Sequence, residues 1–495
     1  MQQLHYRSTR GNGKKVTAAE AIITGIAEDG GLYVPSFIPK LDVPLKDLLP
    51  LDYRGRAYHV MKLFLPDFSA DDIKACINGA YGDKFSAPGI APLTKRAGAL
   101  FLELFHGPTQ AFKDMALTLL PHLLTTALRM EGLTREVVIL TATSGDTGKA
   151  ALEGFADVPG TRIIVFFPEK GVSPMQKRQM VTQGGNNTHV IGIEGNFDDA
   201  QKGVKDMFAN PTLLAGMKRH NSSFSSANSI NVGRLIPQVV YYFHAYLQAC
   251  AAGDIALGDE VNFAVPTGNF GNILAGFYAK KMGLPVRTLL CAANENKVLA
   301  DFFATGLYDR RRELAVTMSP SMDILASSNL ERLLFEASGR DGEEVAGLME
   351  RLNRQGWYKI REKTAANLAD FFGGFATDEE TAAAIKEVFA EAGYLMDPHT
   401  AVAYSVYKKY RQQGKDQTPV IILSTASPYK FARSVMKSLG LPAEGDDFTL
   451  MQNLSANSGT PVPEPLKDLE ELPVRHTARC SKGGMQREVE KILWG

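Results

Sequence analysis

Several features that would point to particular protein classes are missing from the 495-residue sequence. Lysine plus arginine equals aspartate plus glutamate, at 54 each, so no net charge is available to attract nucleic acid or an anionic membrane. The sequence contains no run of about 18 or more apolar residues, which a membrane-spanning helix would need. The first residues, MQQLHYRSTRGNGKK, lack the apolar core of a signal peptide. We therefore expect a cytoplasmic protein that binds neither nucleic acid nor membrane.

Cysteine is also scarce. The four cysteines, Cys76, Cys250, Cys291 and Cys480, are widely separated along the chain. No CxxC pair or Cys/His cluster suggests a metal site, and the spacing does not suggest a disulfide framework. We expect a reducing compartment and no bound metal.

What the sequence does contain, from about residue 96 onward, is a repeated pattern of strand, loop and helix. Four clear units occupy residues 135–156, 161–181, 260–282 and 419–436. Each begins with an apolar, β-branched run, continues through a loop rich in Gly, Ser, Thr or Pro, and ends in a helical pattern. This alternation predicts an α/β fold with parallel sheets, in which ligands bind at the carboxyl ends of the strands.

Changes in pattern along the chain predict its organisation. Residues 1–95 look like a mainly helical N-terminal domain, and residues 297–415 look like a helical insertion. We expect the following units: an N-terminal domain at 1–95, a large domain at 96–138 and 251–455 with the insertion at about 297–415, a small domain at 139–250, and a C-terminal tail at 456–495 that packs on the surface.

One lysine lies among apolar residues on a predicted helix face. In ELFHGPTQAFKDMALTLL, residues 103–120, a helix beginning at Gln110 would put Lys113 on the same face as Ala116 and Leu117. A buried ammonium is costly unless it is paired or loses its proton. A buried lysine that is kept neutral is a nucleophilic amine and can form a Schiff base. Lys113 is therefore a candidate nucleophile.

A glycine-containing loop, VPTGNFGN at residues 265–272, lies between an apolar strand and a helix. Gly268 and Gly271 would let backbone N–H groups converge at the helix start, which favours an anion. Its G-x-x-G spacing is not that of the dinucleotide fingerprint. A simple tight turn is an equally good interpretation of this loop taken alone.

A second loop, TSGDTGKA at residues 143–150, superficially resembles a nucleotide-binding P-loop. That motif needs a glycine where this chain has Thr143, and Ser or Thr where it has Ala150, so we reject a nucleotide site.

The same loop could still bind an anion. Its helix N–H groups and the hydroxyls of Ser144 and Thr147 could hold a carboxylate or a phosphate. Asp146 is poorly placed beside a dianion and better suits a neighbouring hydroxyl or imine. Helix capping is the alternative interpretation.

Two further segments carry polar residues at element boundaries. STASPYKF, residues 424–431, follows an apolar strand and would project Thr425 from its carboxyl end. SANSINVGRLIPQVVYYFHAY, residues 226–246, places Asn231 and Arg234 near a helix start, where an arginine is unfavourable unless an anion meets it. An ordinary turn and a surface arginine are the alternatives.

Together these segments put a nucleophilic lysine, two anion-binding loops and an arginine on one α/β scaffold. A cofactor aldehyde that carries a phosphate would use both the lysine and one of the loops, and pyridoxal phosphate is such a cofactor. The second loop and the arginine would then serve an anionic substrate.

The sequence resembles the longer form of the threonine synthase family, whose members are fold-type II pyridoxal-phosphate enzymes. The resemblance extends over almost the whole chain. It is carried by these segments in order: YRSTRG, AIITGIAEDGGLYVP, HGPTQAFKDMA, TATSGDTGKAA, NSINVGRLIPQVVYYF, PTGNFGNILAGFYAKKMGLP and STASPYKF. It implies two parallel-sheet, three-layer domains and an N-terminal mainly helical domain.

The resemblance also implies roles for individual residues. Lys113 would form the Schiff base, and Thr425 would hydrogen-bond the pyridine nitrogen. One run would bind the cofactor phosphate: Gly268, Asn269, Phe270, Gly271 and Asn272. Another group would face the substrate: Ser144, Asp146, Thr147, Asn231 and Arg234.

The implied reaction belongs to threonine biosynthesis. It is a β,γ-elimination and replacement that converts O-phospho-L-homoserine and water to L-threonine and phosphate. A related O-phosphohomoserine phospholyase, which gives 2-oxobutyrate, ammonia and phosphate, is the alternative. An inactive homologue that serves as a binding protein is a third, but the retained Lys113 and both loops argue against it. We expect a monomer or a homodimer.

Overall fold

The computed structural model describes residues 4–11, 14–143, 145–169, 172–414 and 416–495. Its strands are β1 (Tyr6–Ser8), β2 (Tyr33–Pro35), β3 (Leu93–Arg96), β4 (Ala99–Glu103), β5 (Glu136–Ala142), β6 (Thr161–Pro168), β7 (Thr188–Glu194), β8 (Ser222–Ser225), β9 (Val261–Pro266), β10 (Val286–Ala293), β11 (Leu307–Asp309), β12 (Trp357–Lys359), β13 (Phe371–Phe375), β14 (Val420–Ser424) and β15 (Arg479–Ser481).

The α-helices of the same residues occur between and after these strands, singly or in runs of two or more. They are α1 (Ala18–Thr24), α2 (Leu45–Leu48), α3 (Tyr53–Met61), α4 (Ala70–Ala80), α5 (Asp114–Leu117), α6 (Leu120–Met130), α7 (Asp146–Phe155), α8 (Pro174–Val181), α9 (Phe197–Phe208), α10 (Pro211–Arg219), α11 (Val232–Ala251), α12 (Gly271–Met282), α13 (Val298–Thr305), α14 (Leu330–Ala337), α15 (Gly342–Gln355), α16 (Glu362–Ala366), α17 (Asp378–Ala392), α18 (Pro398–Gln413), α19 (Ala432–Ser438), α20 (Asp447–Ser458), α21 (Glu464–Lys467) and α22 (Met485–Trp494). Short 3₁₀ helices occur at Pro320–Met322, Pro428–Phe431 and Lys482–Gly484.

The larger sheet has six strands in the order β13-β10-β9-β14-β4-β3. All neighbouring pairs are parallel except β3 and β4. Its central strands are buried on both faces, as their almost uniformly apolar sequences require. In β9, Phe263 and Val265 face one hydrophobic core and Ala264 faces another. Helix α12 packs on the first face and helix α18 on the second, so this unit has three layers.

The smaller sheet has five parallel strands in the order β15-β7-β6-β5-β8. Val138 and Leu140 of β5 share a core with α9, α10 and α22, whereas Val137 and Ile139 face the core that contains α7. The C-terminal tail therefore completes this sheet through β15 and covers one face of it through α22.

The N-terminal region is mainly helical, as predicted. It carries a two-stranded ribbon, β1 with β2, beside helices α1, α3 and α4. Helix α3 packs against α11, and α1 packs against α6. The predicted fold class, with two parallel-sheet, three-layer units and a helical N-terminal region, is thus confirmed.

The domain boundaries expected from the sequence stay a prediction. Residues 297–415, expected to be a helical insertion, also contribute β13, which pairs with β10 at one edge of the larger sheet. None of the helices in the described ranges combines the length and the hydrophobicity that a membrane crossing needs.

The helix that was predicted to begin at Gln110 begins later, at Asp114. Gln110 has a φ of 58°, which is left-handed, and cannot open a right-handed helix. The backbone on either side of it pairs with the chain after β14 instead: Phe112 N–H donates to Thr425 O at 2.8 Å, and Ser427 N–H donates to Gln110 O at 3.0 Å. Tertiary pairing thus overrides the helical period, and Lys113 occupies the N-cap position of α5.

Candidate active site

Four segments singled out in the sequence follow the carboxyl ends of strands. Lys113 lies on the chain after β4, the 267–270 turn follows β9, and Thr425 follows β14, all in the larger sheet. The loop that leads to Asp146 follows β5 of the smaller sheet. Because the three strands of the larger sheet are parallel, their loops emerge at one edge.

Lys113 is largely buried, with 14% of its side chain exposed. Its ammonium nitrogen lies 3.8 Å from Asp146 Oδ2, an oxygen at the start of α7. That contact connects the two sheets. Within the described part of the chain, Lys113 Nζ forms this ion-pair contact and no hydrogen bond.

Asp146 is surrounded by donors, although only 3% of its side chain is exposed. Lys430 Nζ lies 2.6 Å from its Oδ1. Gln176 Nε2 donates to the same oxygen at 2.9 Å, and Ser321 Oγ donates to Oδ2 at 3.4 Å. A buried carboxylate requires such partners.

The burial of this cluster changes its acid–base properties. Burial lowers the pKa of Lys113 to about 8, with Asp146 opposing the change and Lys430 adding to it. Burial by itself would raise the pKa of Asp146, but Lys430 and Lys113 outweigh it and hold that pKa well below its usual range. The cluster therefore combines an amine that loses its proton readily with a permanently ionised carboxylate.

Asp114, the residue after Lys113, fixes the preceding turn. Its carboxylate accepts hydrogen bonds from Thr109 N–H at 2.8 Å and from Thr109 Oγ1 at 2.6 Å. Burial raises the pKa of Asp114 to about 6, and the two bonds from Thr109 oppose that rise. This tie anchors the backbone immediately before Lys113.

The turn between β9 and α12 has the features of an anion site. Phe270 takes a left-handed φ of 66° and leads directly into α12. Across the described residues, no side chain or backbone carbonyl accepts from the amides at the start of this helix, residues 271–273. Asn272 Nδ2, in the same turn of helix, is buried and has no partner in the described ranges, while its Oδ1 accepts from Tyr241 and Tyr242. These unpaired donors fit a phosphate.

The remaining residues of this turn are held by their backbone. Ser327 Oγ donates to Gly268 O at 2.7 Å, and Asn329 Nδ2 donates to Asn269 O at 2.9 Å. The Asn269 side chain itself is exposed. A Cβ at Gly268 would lie 3.0 Å from Ser321 O, so the turn also touches the residue that contacts Asp146.

Arg234, the third residue of α11, is buried although arginine is usually exposed. One guanidinium nitrogen, Nη1, donates to Ala227 O at 2.9 Å, but Nε has no partner among the described residues. Burial lowers the pKa of Arg234 to about 10, and its positive charge lowers the pKa of Lys113 in turn. A buried, incompletely paired guanidinium near the lysine fits an anionic ligand.

Asn231 has a different environment from the one its predicted role suggests. Its Oδ1 caps α11 by accepting from Gly233 N–H at 2.9 Å, and its Nδ2 donates to Ile22 O at 2.9 Å and to Ser226 O at 3.2 Å. The side chain is thus occupied by the fold. Its backbone carbonyl accepts from Arg234 N–H at 3.0 Å, which ties it to the arginine.

Three hydroxyl residues complete the predicted site. Thr425 is buried and Thr147 is half-buried, and neither hydroxyl bonds to another residue in the described ranges. Both are therefore available to a ligand. Ser144 lies outside the described residues.

Sequence reasoning missed the residues that surround Asp146, namely Lys430, Ser321 and Gln176. Lys430 could have been found, because it stands among apolar and aromatic residues in SPYKFA, the same signal that singled out Lys113. Ser321 and Gln176 carry no such signal, since their polar side chains are ordinary in helices and turns.

Comparison with protein families covers most of the chain in three parts. Residues 5–81 match the family described as threonine synthase N terminus. Residues 86–373 match pyridoxal-phosphate dependent enzyme. Residues 400–484 match threonine synthase, C-terminal.

Individual proteins are similar over nearly the same length. Threonine synthase of Pseudomonas aeruginosa is 41% identical to this chain, and the matched region covers 88% of this chain and 90% of that protein. Threonine synthase-like 1 of Homo sapiens is 42% identical over 86% of this chain, but this chain spans only 59% of that protein. The crystal structure of a PLP-bound threonine synthase from Brucella melitensis is 38% identical and superposes with a TM-score of 0.87, with full coverage of both chains.

Proposed function

The chain belongs to the threonine synthase family, a family of pyridoxal-phosphate-dependent enzymes, and we propose that it converts O-phospho-L-homoserine and water to L-threonine and phosphate. The observation that carries the proposal is the position of Lys113. Its amine is buried, has a lowered pKa, and lies at the carboxyl edge of the larger sheet, facing a carboxylate at the carboxyl edge of the smaller one. Such an amine is a nucleophile at neutral pH.

Pyridoxal phosphate fits the residues present. When bound, it supplies an electrophilic carbonyl, a ring that withdraws electrons, and a phosphate that anchors it. Lys113 would hold it covalently, and the Thr425 hydroxyl would meet the ring nitrogen. The phosphate would be held by Gly268, Asn269, Phe270, Gly271 and Asn272. The unpaired donors of that turn, including Asn272 Nδ2, support this assignment.

Lys113 would have a second task once substrate has taken its place. Its freed amine would accept the proton from Cα of the substrate and later return a proton, because an amine with a pKa of about 8 exchanges protons readily near neutral pH. Burial of the amine keeps bulk water from competing for that proton.

The substrate phosphate would meet a different set of groups. Arg234 would bind it through Nε, which lacks a partner among the described residues. Thr147 and Ser144 would contribute hydroxyls, and charge growing on the departing phosphate would be stabilised by these fixed donors. Asn231 would position Arg234 through its backbone and by capping α11. Asp146, already paired with Lys430, would face the amine side and not the phosphate.

We further propose that the protein is cytoplasmic, binds neither nucleic acid nor membrane, and acts as a monomer or homodimer. Its formal net charge of zero supports the absence of nucleic-acid and membrane binding, because no overall electrostatic attraction to nucleic acid or anionic lipid is available. Sedimentation of the purified full chain at several concentrations would distinguish monomer from dimer.

The function is tested with an absorption spectrum and a product analysis. We expect the purified full chain to show a visible band that shifts when O-phospho-L-homoserine is added, with threonine and phosphate formed in equal amounts. Formation of 2-oxobutyrate and ammonia instead would replace the proposed reaction with that of the phospholyase. A protein that stays colourless with added pyridoxal phosphate would refute the cofactor as well.

Replacing Arg234 with alanine should mainly weaken substrate binding. A hydrogen bond to a charged group is worth about 1.5–3 kcal/mol, so we expect KM for the phosphorylated substrate to rise roughly 10- to 100-fold. The measurement is steady-state kinetics, with absorbance to confirm that the cofactor is still bound. An unchanged KM would show that Arg234 does not bind the substrate phosphate. Arg178→Ala, which removes a partly exposed arginine from α8, is the matched control and should leave KM near the wild-type value.

A further inference from the structure

A second buried lysine stands beside the site without a role in the proposed reaction. Lys430 lies in the 3₁₀ helix that follows β14, and none of its side chain is exposed. Its amine lies 2.6 Å from Asp146 Oδ1 and donates to Thr109 O at 2.9 Å. A fully buried lysine is rare unless it is paired, so these two contacts account for its burial.

The contacts of Asp146 are divided unequally between the two lysines. Oδ1 takes Lys430 and the amide of Gln176, at 2.6 and 2.9 Å. Oδ2 is 3.4 Å from Ser321 Oγ and 3.8 Å from Lys113 Nζ, and the latter distance is too long for a hydrogen bond. Lys430 is thus the closer cation and is hydrogen-bonded to Asp146, whereas Lys113 lies within ion-pair distance of the carboxylate without a hydrogen bond to it.

This division has a chemical consequence for Lys113. A buried carboxylate that loses its cation is strongly destabilised and would recruit the nearest available positive charge. Without Lys430 that charge would be the ammonium of Lys113. An amine that is protonated and held in an ion pair has no lone pair for a carbonyl carbon. The amine is reactive only as long as another cation satisfies Asp146.

We propose that Lys430 is a positioning residue: it holds the Asp146 carboxylate and so leaves the Lys113 amine free to react. This inference rests on the proposed function, because it assigns a purpose to Lys430 only if Lys113 is the nucleophile. The other charged groups that face Lys113 are Arg234, which disfavours its protonation, and Asp114, which favours it. Both are unchanged in the variants below.

The test measures the protonation of Lys113 in the full chain freed of cofactor. The protein is labelled with acetic anhydride across a range of pH, and the modified fraction of the Lys113 peptide is measured by mass spectrometry. The wild-type midpoint is expected near 8. Lys430→Met should raise it by at least about one unit, which leaves roughly tenfold less neutral amine at a given pH below the midpoint.

Replacing the carboxylate should have the opposite effect. Asp146→Asn removes the carboxylate that most favours the ammonium form of Lys113, so the midpoint of Lys113 should fall below the wild-type value. Opposite shifts from the two members of one ion pair cannot arise from a general loosening of the structure. Lys430→Arg, which keeps the charge, should return the midpoint close to that of the wild type.

A matched control comes from α8. Lys177 lies 2.6 Å from Glu169 Oε2, so Lys177→Met also removes a lysine from a close ion pair. It should leave the Lys113 midpoint unchanged. If Lys430→Met does not fold, the polar variant Lys430→Gln takes its place. The test is then whether Lys430→Gln and Asp146→Asn shift the Lys113 midpoint in opposite directions.

The inference is overturned if Lys430→Met or Lys430→Gln leaves the Lys113 midpoint unchanged. It is also overturned if either variant shifts the midpoint in the same direction as Asp146→Asn does. A separate measurement keeps the proposed function apart from it. Pyridoxal phosphate is added to the wild-type chain and the linked lysine is identified by mass spectrometry after reduction. Absence of any link at Lys113 would refute the function, whereas a link at Lys113 with unshifted midpoints would refute only the role of Lys430.

Discussion

Lys113→Ala is expected to lower kcat by at least about 10⁴-fold, because the variant loses both the covalent anchor of the cofactor and the group that moves the Cα proton. The visible absorption band of the protein should disappear with it. Both quantities are measured on the purified full chain with saturating pyridoxal phosphate. Alanine is small enough to leave the surrounding core intact, and the neighbouring Lys430–Asp146 pair remains to satisfy the buried carboxylate.

Lys280→Ala is a suitable control for this variant. Lys280 lies in the last turn of α12 and pairs with Asp370 at 2.8 Å. The substitution therefore removes the same charge from an ion pair that includes no residue of the candidate site. It should keep the band and near-normal kcat. An active Lys113→Ala protein, or one whose cofactor is linked to Lys430, would contradict the assignment.

Gly154→Ala is expected to destabilise the protein by about 3 kcal/mol or more, since overpacking at a rigid contact is strongly unfavourable. Gly154 lies near the end of α7, and a Cβ there would lie 2.0 Å from the carbonyl oxygen of Leu117 in α5. That neighbour is backbone and cannot rotate away. The two helices would have to separate, which would shift Asp146, at the start of α7, away from Lys113, at the start of α5. We therefore expect a loss of activity together with a lower denaturant midpoint.

Gly347→Ala also replaces a helical glycine, but it is expected to stabilise the protein. Gly347 lies inside α15, and the nearest atom to its added Cβ is a side-chain nitrogen of Arg351 at 4.0 Å. Without a clash, replacing a helical glycine with alanine stabilises by roughly 0.5–1 kcal/mol. Equal stability of Gly154→Ala and the wild type would show that α5 and α7 are less tightly fixed than the structure indicates.

The sequence predicted those parts of the protein that depend on neighbours along the chain. The α/β class followed from apolar strand runs alternating with loops and helices, and the strands and helices of these units are present in the structure. Arg234 was singled out because an arginine near a helix start is electrostatically unfavourable. The structure buries it and gives its Nε no partner among the residues that are described, which fits that reasoning.

The parts that could not be predicted depend on residues far apart in the chain. The start of α5 moved to Asp114 because the segment before it pairs with the chain after β14. The cation closest to Asp146 is Lys430, which lies in the 3₁₀ helix after β14, a strand of the other sheet. Asn231 directs its amide to Ile22, a contact that no local pattern specifies. Local spacing indicates which side chains emerge at a strand end, whereas long-range packing decides which of them meet.

The path of the C-terminal tail has a consequence for the order of folding during synthesis. β15 adds to the edge of β7, and Arg162 of β6 donates to Ile492 O in α22. These partners are translated long before the strand that covers them. Until residues 479–494 leave the ribosome, β7 presents an open strand edge, a surface prone to pairing with other chains. Nascent or truncated chains that end before β15 should therefore depend on chaperones to stay in solution.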